Sequence, residues 1–427
     1  MVRATKARAN AQLPTLAYVY HPRSFATLSL VDAAQDVCEL LWIVDSSQPE
    51  VTSMSRLLNR FGPTIDVAGL SYDEIASTVA QRNPQGILGL ADDVLRFTAE
   101  IAARIGLAYS TPETALRLTD KFAQRAALAN GGLVVPKSWI ISKADSDATR
   151  AKMEEEVSFP AVFKPRRGEA SRDTLPVGSL SELRALVKQF CSGEGPVREF
   201  VLEEYIPDSP AAVAGAGFAG YVSVESIVSD GRISHLAING RMPPAFPFRE
   251  TGFFIPSALD ATQQVAVLEV ASQAAAAIGV RLGCLHTEIK LTPSGPVVIE
   301  VNGRIGGGVP EMLEAATGIR LLSWAMRLSL GESIAVDELP HCNCLAYLFY
   351  VQAPAAMRRV VAVEGLDELR DVPGVDAIVL NRGPGQAVDW REGNHGHVFS
   401  VFGTAADHDE LRKVNDLITN LVHIDGE

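Results

Sequence analysis

The sequence predicts an α/β protein of several domains, and three observations carry that expectation. Between Thr15 and about Leu107, short β-rich runs alternate with helical patterns, which indicates a doubly wound parallel sheet. A chain of 427 residues is too long for one ordinary core, so two to four domains are expected. Further along, two strand-like segments, Cys284 to Leu291 and Val297 to Arg304, flank Thr292 to Pro296, whose Pro and Gly suit a hairpin loop.

Composition narrows the class. Hydrophobic residues make up 47% and charged ones 21%, an ordinary soluble balance. Lys and Arg total 38 against 51 Asp and Glu, a net charge of -13 that argues against a nucleic-acid partner held through its phosphates. Cys38, Cys191, Cys284, Cys342 and Cys344 show no disulfide or zinc spacing, so a reducing, cytoplasmic setting is expected. The basic first dozen residues precede no apolar stretch and read as a loose tail over 1–13. No uncharged run is long and apolar enough to span a bilayer, the nearest being the Gly/Ala-rich Pro210 to Val224.

In the expected N-terminal domain, 1–112, strands are predicted at Leu16 to Tyr20, Leu40 to Asp45, Thr64 to Ala68 and Gly86 to Leu90, with helices at Tyr72 to Gln81 and Asp92 to Ile105. Residues 113–204 form a second unit. Its opening helix has Thr111 as N-cap, Pro112 and Glu113 in the first turn and Gly131 at its end, with Lys121 near the middle. On its own Lys121 reads as an ordinary surface lysine. Strands follow at Lys137 to Ile141, Ala161 to Lys164 and Phe200 to Glu204, with helices near Lys143 to Val157 and Ser179 to Phe190. Lys164 closes an apolar strand and is followed by RRGEASRDT, which has no hydrophobic periodicity. That arrangement suits a clamp closing over a nucleotide's phosphates, or equally an ordinary surface turn.

The third expected unit spans 205–340. Gly215, Gly217 and Gly220 formally match a dinucleotide fingerprint, but Tyr221 to Val228 alternates like a strand and turns at Asp230-Gly231 into another, Ile233 to Ile238. A fingerprint needs a helix there, so the match is rejected, and no Walker-type sequence exists. Pro-rich Arg241 to Pro256 precedes a helix at Thr262 to Ile278. A hairpin symmetric about Ser294 sets Glu288 opposite Glu300 and His286 opposite Asn302, with Lys290 and Arg304 on the same face. Two carboxylates about 5 Å apart repel by about 3 kcal/mol at an effective dielectric near 20, so something positive belongs between them. Mg²⁺ suits two carboxylates and an amide oxygen completed by phosphates. The alternative is a solvated face balanced by Lys290 and Arg304. Gly306, Gly307 and Gly308 then permit close backbone approach to a ligand, ahead of helices at Pro310 to Ala316 and Arg320 to Leu330. Residues 341–427 read as a C-terminal α/β lobe, with strands at Ala346 to Val351, Val375 to Leu380 and His397 to Phe402 and a helix at Ala405 to Val422.

Taken in order, Asp120-Lys121, FPAVFKP around Lys164, VLEEYI at 201–206, HTEIKL and VVIEVNGRIGGG resemble the ATP-grasp superfamily, within it carboxylate-amine ligases of the L-amino acid (dipeptide) ligase and carnosine synthase type. The likeness extends over nearly the whole chain. It implies an ATP-grasp fold in which Lys121 and Lys164 contact ATP phosphates and Glu203, Glu204 and Ile206 lie at the adenine, largely through backbone groups. Glu288, Glu300 and Asn302 fall on Mg²⁺ ligands, with Mn²⁺ able to substitute, and Arg304 falls on the arginine that steadies an acyl phosphate. Glu225, Arg241, Glu250, His286, Gly306 and Gly307 are then candidates for substrate choice, Glu225 or Glu250 receiving an amino group. The loop after Lys164 departs from the pattern, holding only Gly168 where many relatives are glycine-rich. The implied activity is ADP-forming ligation of an amino acid, or similar carboxylate, to an amine such as a second amino acid. The implied partners are small molecules, with neither nucleic acid nor membrane, and a homodimer is one expected assembly. A carboxylase, a small-molecule kinase and a silent ATP-binding protein are the competing readings; retention of both acids, Asn302 and Arg304 weighs against the last.

Overall fold

Four parallel strands in the order β3-β2-β1-β4 form the first layer. They alternate with helices: β1 (Thr15–Val19), α1 (Thr27–Ala34), β2 (Glu39–Val44), α2 (Pro49–Phe61), β3 (Thr64–Asp66), α3 (Tyr72–Ala80), β4 (Gly86–Leu88) and α4 (Asp92–Ile105). Both faces of β1 are buried, Leu16 and Tyr18 with Trp42 on one and Ala17 and Val19 with Ile43 on the other. That is why its sequence is an apolar run and not an alternation. The structure, a computed structural model, describes residues 13–142, 147–191, 198–208, 215 and 217–427. The expected tail, the start of the helix near Lys143 and part of the Gly215 to Gly220 run fall outside the described residues.

The helix predicted across Lys121 is two helices, α5 (Pro112–Thr119) and α6 (Lys121–Asn130). Asp120 breaks them apart with φ -119° and ψ 104°, and its carboxylate accepts the Ala123 N–H as the N-cap of α6. Lys121 is therefore the first residue of a helix and not its middle. An antiparallel sheet in the order β5-β8-β6-β7 follows, built from β5 (Ser138–Ile141), α7 (Asp147–Glu156), β6 (Ala161–Pro165), β7 (Leu175–Val177), α8 (Leu180–Cys191) and β8 (Phe200–Glu204). Phe163 and Phe200 stack at 4.5 Å in its core.

The largest layer is an eight-stranded antiparallel sheet, β13-β12-β9-β10-β11-β14-β17-β16. Its elements begin with β9 (Tyr221–Ser229), β10 (Arg232–Arg241), β11 (Gly252–Ile255), α9 (Ala261–Ile278), β12 (Gly283–Thr292), β13 (Gly295–Asn302), α10 (Val309–Thr317) and α11 (Leu321–Ser329). They end with β14 (Leu345–Gln352), β15 (Val360–Glu364), α12 (Leu366–Arg370), β16 (Val375–Leu380), β17 (His397–Ala405), α13 (His408–Leu421) and β18 (His423–Gly426), β15 pairing with β18. Strands of the segment expected as a C-terminal lobe thus extend the hairpin's own sheet, through β11 and β14. Asp230 and Gly231 both take positive φ, 50° and 82°, as a two-residue hairpin turn requires.

In the β12–β13 hairpin Glu288 pairs with Glu300 and His286 with Asn302. The loop is shorter than the five residues predicted, because Thr292 pairs with Gly295. One extra residue, Ile299, between Glu300 and Val298 restores the register as a bulge. No helix among the described residues is long and apolar enough to cross a membrane.

Candidate active site

The polar face of the hairpin meets two lysines that are buried, not on the surface: Lys121 is 8% exposed and Lys164 7%. Asp120 aims Lys121 inward, since its own carboxylate is held by Arg166 and Arg167 at 2.8 and 3.0 Å. The Lys121 ammonium then lies 2.8 Å from Glu300 and donates to the Gly168 carbonyl at 2.7 Å. Burial would lower its pKa, but the charge and hydrogen bond of Glu300 raise it above the ordinary lysine value.

Lys164, the last residue but one of β6, holds its ammonium 2.6 Å from Glu203, which also takes a two-pronged contact from Arg125 at 2.9 and 3.0 Å. Burial opposes ionisation of Glu203, yet the charges of Arg125 and Lys164 hold its carboxyl down to about 2. Its side chain is thus committed inside the protein. Glu204 follows at the strand end, bonded by the Lys137 N–H at 3.2 Å, and Ile206 lies just beyond, half-buried. Arg125 escaped the sequence reading, although its place one turn after Lys121 on α6 was a usable signal.

Glu288, Glu300 and Asn302 occupy facing positions of the hairpin. Glu288 has His286 Nε2 at 3.5 Å; burial would push its carboxyl up, but that histidine and the charges of Arg241 and Arg304 hold it at about 2. Among the described residues no three His, Cys, Asp or Glu side chains form a metal cluster. A divalent ion here would therefore have two carboxylates and the Asn302 amide oxygen, leaving positions for ligand oxygens, which fits Mg²⁺ better than a closed metal cage.

Beside this face is a cavity of about 290 Å³ lined by Arg241, Glu250, His286, Glu288, Arg304, Gly306 and Gly307. Gly306 is required by closeness, since a Cβ would fall 2.6 Å from His286 Nδ1. Glu225 is not brought to the cavity: 1% exposed, it accepts His286 Nδ1–H at 2.6 Å and the Asn239 amide at 2.7 Å from behind. Burial disfavours the imidazolium, yet the charge and hydrogen bond of Glu225 raise His286 to about 9. Arg241, 2% exposed, pairs with Glu250, donates to Ser223 at 2.9 Å and lies over Phe253 at 4.9 Å. Asn394 donates to the other oxygen of Glu250 at 2.8 Å.

The loop after Lys164 covers one side. Gly168 and, less usually, Ala170, Ser171 and Asp173 take positive φ. Its backbone is pinned by the turn Trp390–Gly396, with Asn394 N–H donating to the Ala170 carbonyl at 2.8 Å and Asp173 N–H to that of Arg391 at 3.2 Å. Nothing in local periodicity singles out Asn394, Asp92 or Glu169, which long-range packing brings here.

An ATP-grasp domain model matches residues 157–311. Among curated relatives, the uncharacterized protein y4rH of Sinorhizobium fredii (strain NBRC 101917 / NGR234) is 24% identical over 352 residues, which are 81% of this chain and 66% of that protein. Alanine–anticapsin ligase of Bacillus subtilis is 26% identical over 226 residues, 49% of this chain and 46% of the relative. The chain therefore spans just under two thirds of the length of the first of these relatives and under half of the second. The solved L-amino acid ligase from Bacillus licheniformis superposes with a TM-score of 0.76 at 18% identity, covering 98% of this chain and 100% of that one. The chain has the ATP-grasp fold, with an ATP-grasp domain over residues 157–311.

Proposed function

We propose that the protein is an ATP-dependent, ADP-forming ligase that joins the carboxylate of an amino acid, or a similar acid, to an amine such as a second amino acid, through an acyl phosphate. The observation that carries this reading is the pairing of Glu288 with Glu300 beside two buried lysines and a cavity that contains Arg304. The amino-acid ligases among the similar proteins support the substrate class.

In this reading MgATP supplies the phosphoryl group and the charge neutralisation that make a carboxylate reactive. Lys121 and Lys164 hold phosphates as point charges, exchanging their present carboxylate partners for phosphate oxygens. Glu288, Glu300 and Asn302 hold Mg²⁺, and Mn²⁺ is expected to substitute. Glu204 and Ile206, with the backbone of Glu203, border the adenine. Arg304 places a fixed positive charge where negative charge accumulates during transfer. The loop after Lys164 keeps water from the activated acid. Arg241, Glu250, His286, Gly306 and Gly307 shape the substrate cavity, with Glu225 acting through His286.

The test is incubation of the protein with MgATP and amino acid mixtures, products being identified by mass. ADP, phosphate and a dipeptide-like product are expected, and hydroxylamine should trap a hydroxamate when the amine is left out. Formation of AMP, or of a stable phosphorylated alcohol, would overturn the reading in favour of an adenylating enzyme or a kinase.

A further inference from the structure

Around Arg304 stands a second pair of acids for which the proposed chemistry has no task, Glu169 on the cavity wall and Asp92 on the other side of the guanidinium contact. Asp92, the first residue of α4, places a carboxylate oxygen 2.8 Å from Arg304 Nε, and Glu169, from the loop after Lys164, places one 3.4 Å from the same nitrogen. One guanidinium thus serves two carboxylates that arrive from distant parts of the chain. The Asp92 side chain is only 10% exposed and that of Glu169 11%. Each keeps a second oxygen, Asp92 Oδ1 and Glu169 Oε1, buried and without a donor from any other residue, the two carboxyls being within hydrogen-bond reach of each other.

Neighbouring cations do not satisfy these oxygens. Arg23 Nε and His395 Nε2 each stand 3.9 Å from Glu169 Oε1, beyond hydrogen-bond reach, and Arg23 is engaged by Asp93. Burial, with the charges of Arg23, Arg172 and Arg304, keeps His395 below its ordinary value and so neutral at pH 7. Burial likewise raises the Asp92 carboxyl; Arg304 opposes this and Glu169 adds to it. A buried acceptor left without a donor costs about 1–3 kcal/mol, and more when charged.

Glu169 lines the cavity that also holds Arg241, Glu288 and Arg304. A primary ammonium fits here, since it brings three N–H donors and one positive charge to two acids of which Arg304 alone donates directly to either, Arg23 and His395 standing too far off to donate. A hydroxyl or amide would supply a donor without a positive charge, and the proposed divalent ion already has its place at Glu288, Glu300 and Asn302.

We propose that Glu169, backed by Asp92, receives the ammonium group of an amino-acid substrate. The identity of the ligand rests on the ligase reading. The covering loop would then read the substrate's amine as well as the nucleotide, so that an acid lacking an amino group fails to hold the loop down.

The test is a thermal-shift titration of the full chain with ADP and Mg²⁺ present, using each standard amino acid and β-alanine, and each corresponding acid without its amino group. At least one amino acid should stabilise the wild type. Glu169→Gln should weaken that amino acid by about tenfold or more, leave the deaminated acid and ADP essentially unchanged, and be partly rescued by Glu169→Asp. The assignment is overturned if Glu169→Gln binds the amino acid as the wild type does, if it loses amino acid, deaminated acid and ADP together, or if no amino acid stabilises the wild type. Phosphate release in the same series separates the two proposals: binding without release defeats the ligase reading alone, whereas release with an unchanged KM in Glu169→Gln defeats this assignment alone.

Discussion

Glu203 shows how much one buried side chain governs here, because Lys164 and Arg125 both depend on its charge. Replacing it with Gln should destabilise the protein by about 3–5 kcal/mol, as removal of one partner of a buried pair does, measured by urea unfolding. The same residue sets an acid limit. Its folded pKa of about 2 lies below the ordinary 4.5, so its contribution is present in full above the unfolded value and is lost as pH falls from there towards 2. Glu203→Gln should lose less stability than the wild type across that window; equal slopes would show that the pair does not govern it. Glu288→Gln and Glu300→Gln should lower ATP turnover by about 100-fold or more in protein that is still folded, read as ADP release at limiting Mg²⁺, beyond the stability each loses with its His286 or Lys121 contact. Glu288 and Glu300 were legible as a facing pair because strand side chains alternate with a fixed period. Glu169 and Asp92 were not, since they lie 77 positions apart in the sequence and meet only through folding, a closeness no local pattern encodes.

At the scale of elements, the break at Asp120 and the pinned loop after Lys164 place the two lysines. Asp120→Ala removes a helix cap worth about 1 kcal/mol and also frees Arg166 and Arg167. Its stability loss should exceed the cap alone, and KM for ATP should rise with Lys121 no longer aimed. Gly393 has φ 63° and ψ -132°, and a Cβ there would fall 2.0 Å from the Ala170 carbonyl oxygen. Gly393→Ala should therefore release the loop, detectable as faster proteolysis within residues 166–174 while the far sheet keeps its hydrogen-exchange protection. The N-terminal strands and their helices were readable because each carries its own period and punctuation. The Asp120 break was hidden by continuous helical composition on both sides, and the Ile299 bulge by the fact that symmetric pairing gives the same partners for Glu288.

Across the whole molecule, strand neighbours were the least legible property, since periodicity says that a segment is a strand but not which strand it lies beside. The pairing of β11 with β14 joins residues 252–255 to 346–349 and makes one sheet of what reads as two units. A chain ending at residue 340 should therefore leave Gly252–Ile255 with an open edge and be recovered mostly in aggregates, checked by fractionation and light scattering. The same pairing has a consequence for biosynthesis. Translation delivers both lysines, both hairpin acids and Arg304 well before Asn394 and His395, so a nascent chain on the ribosome holds most of the cavity's charged lining while one wall is still unmade. During that interval the edge of β11 is open to any extended segment nearby, and shielding by a chaperone would matter most in the stretch of synthesis between residues 255 and 352.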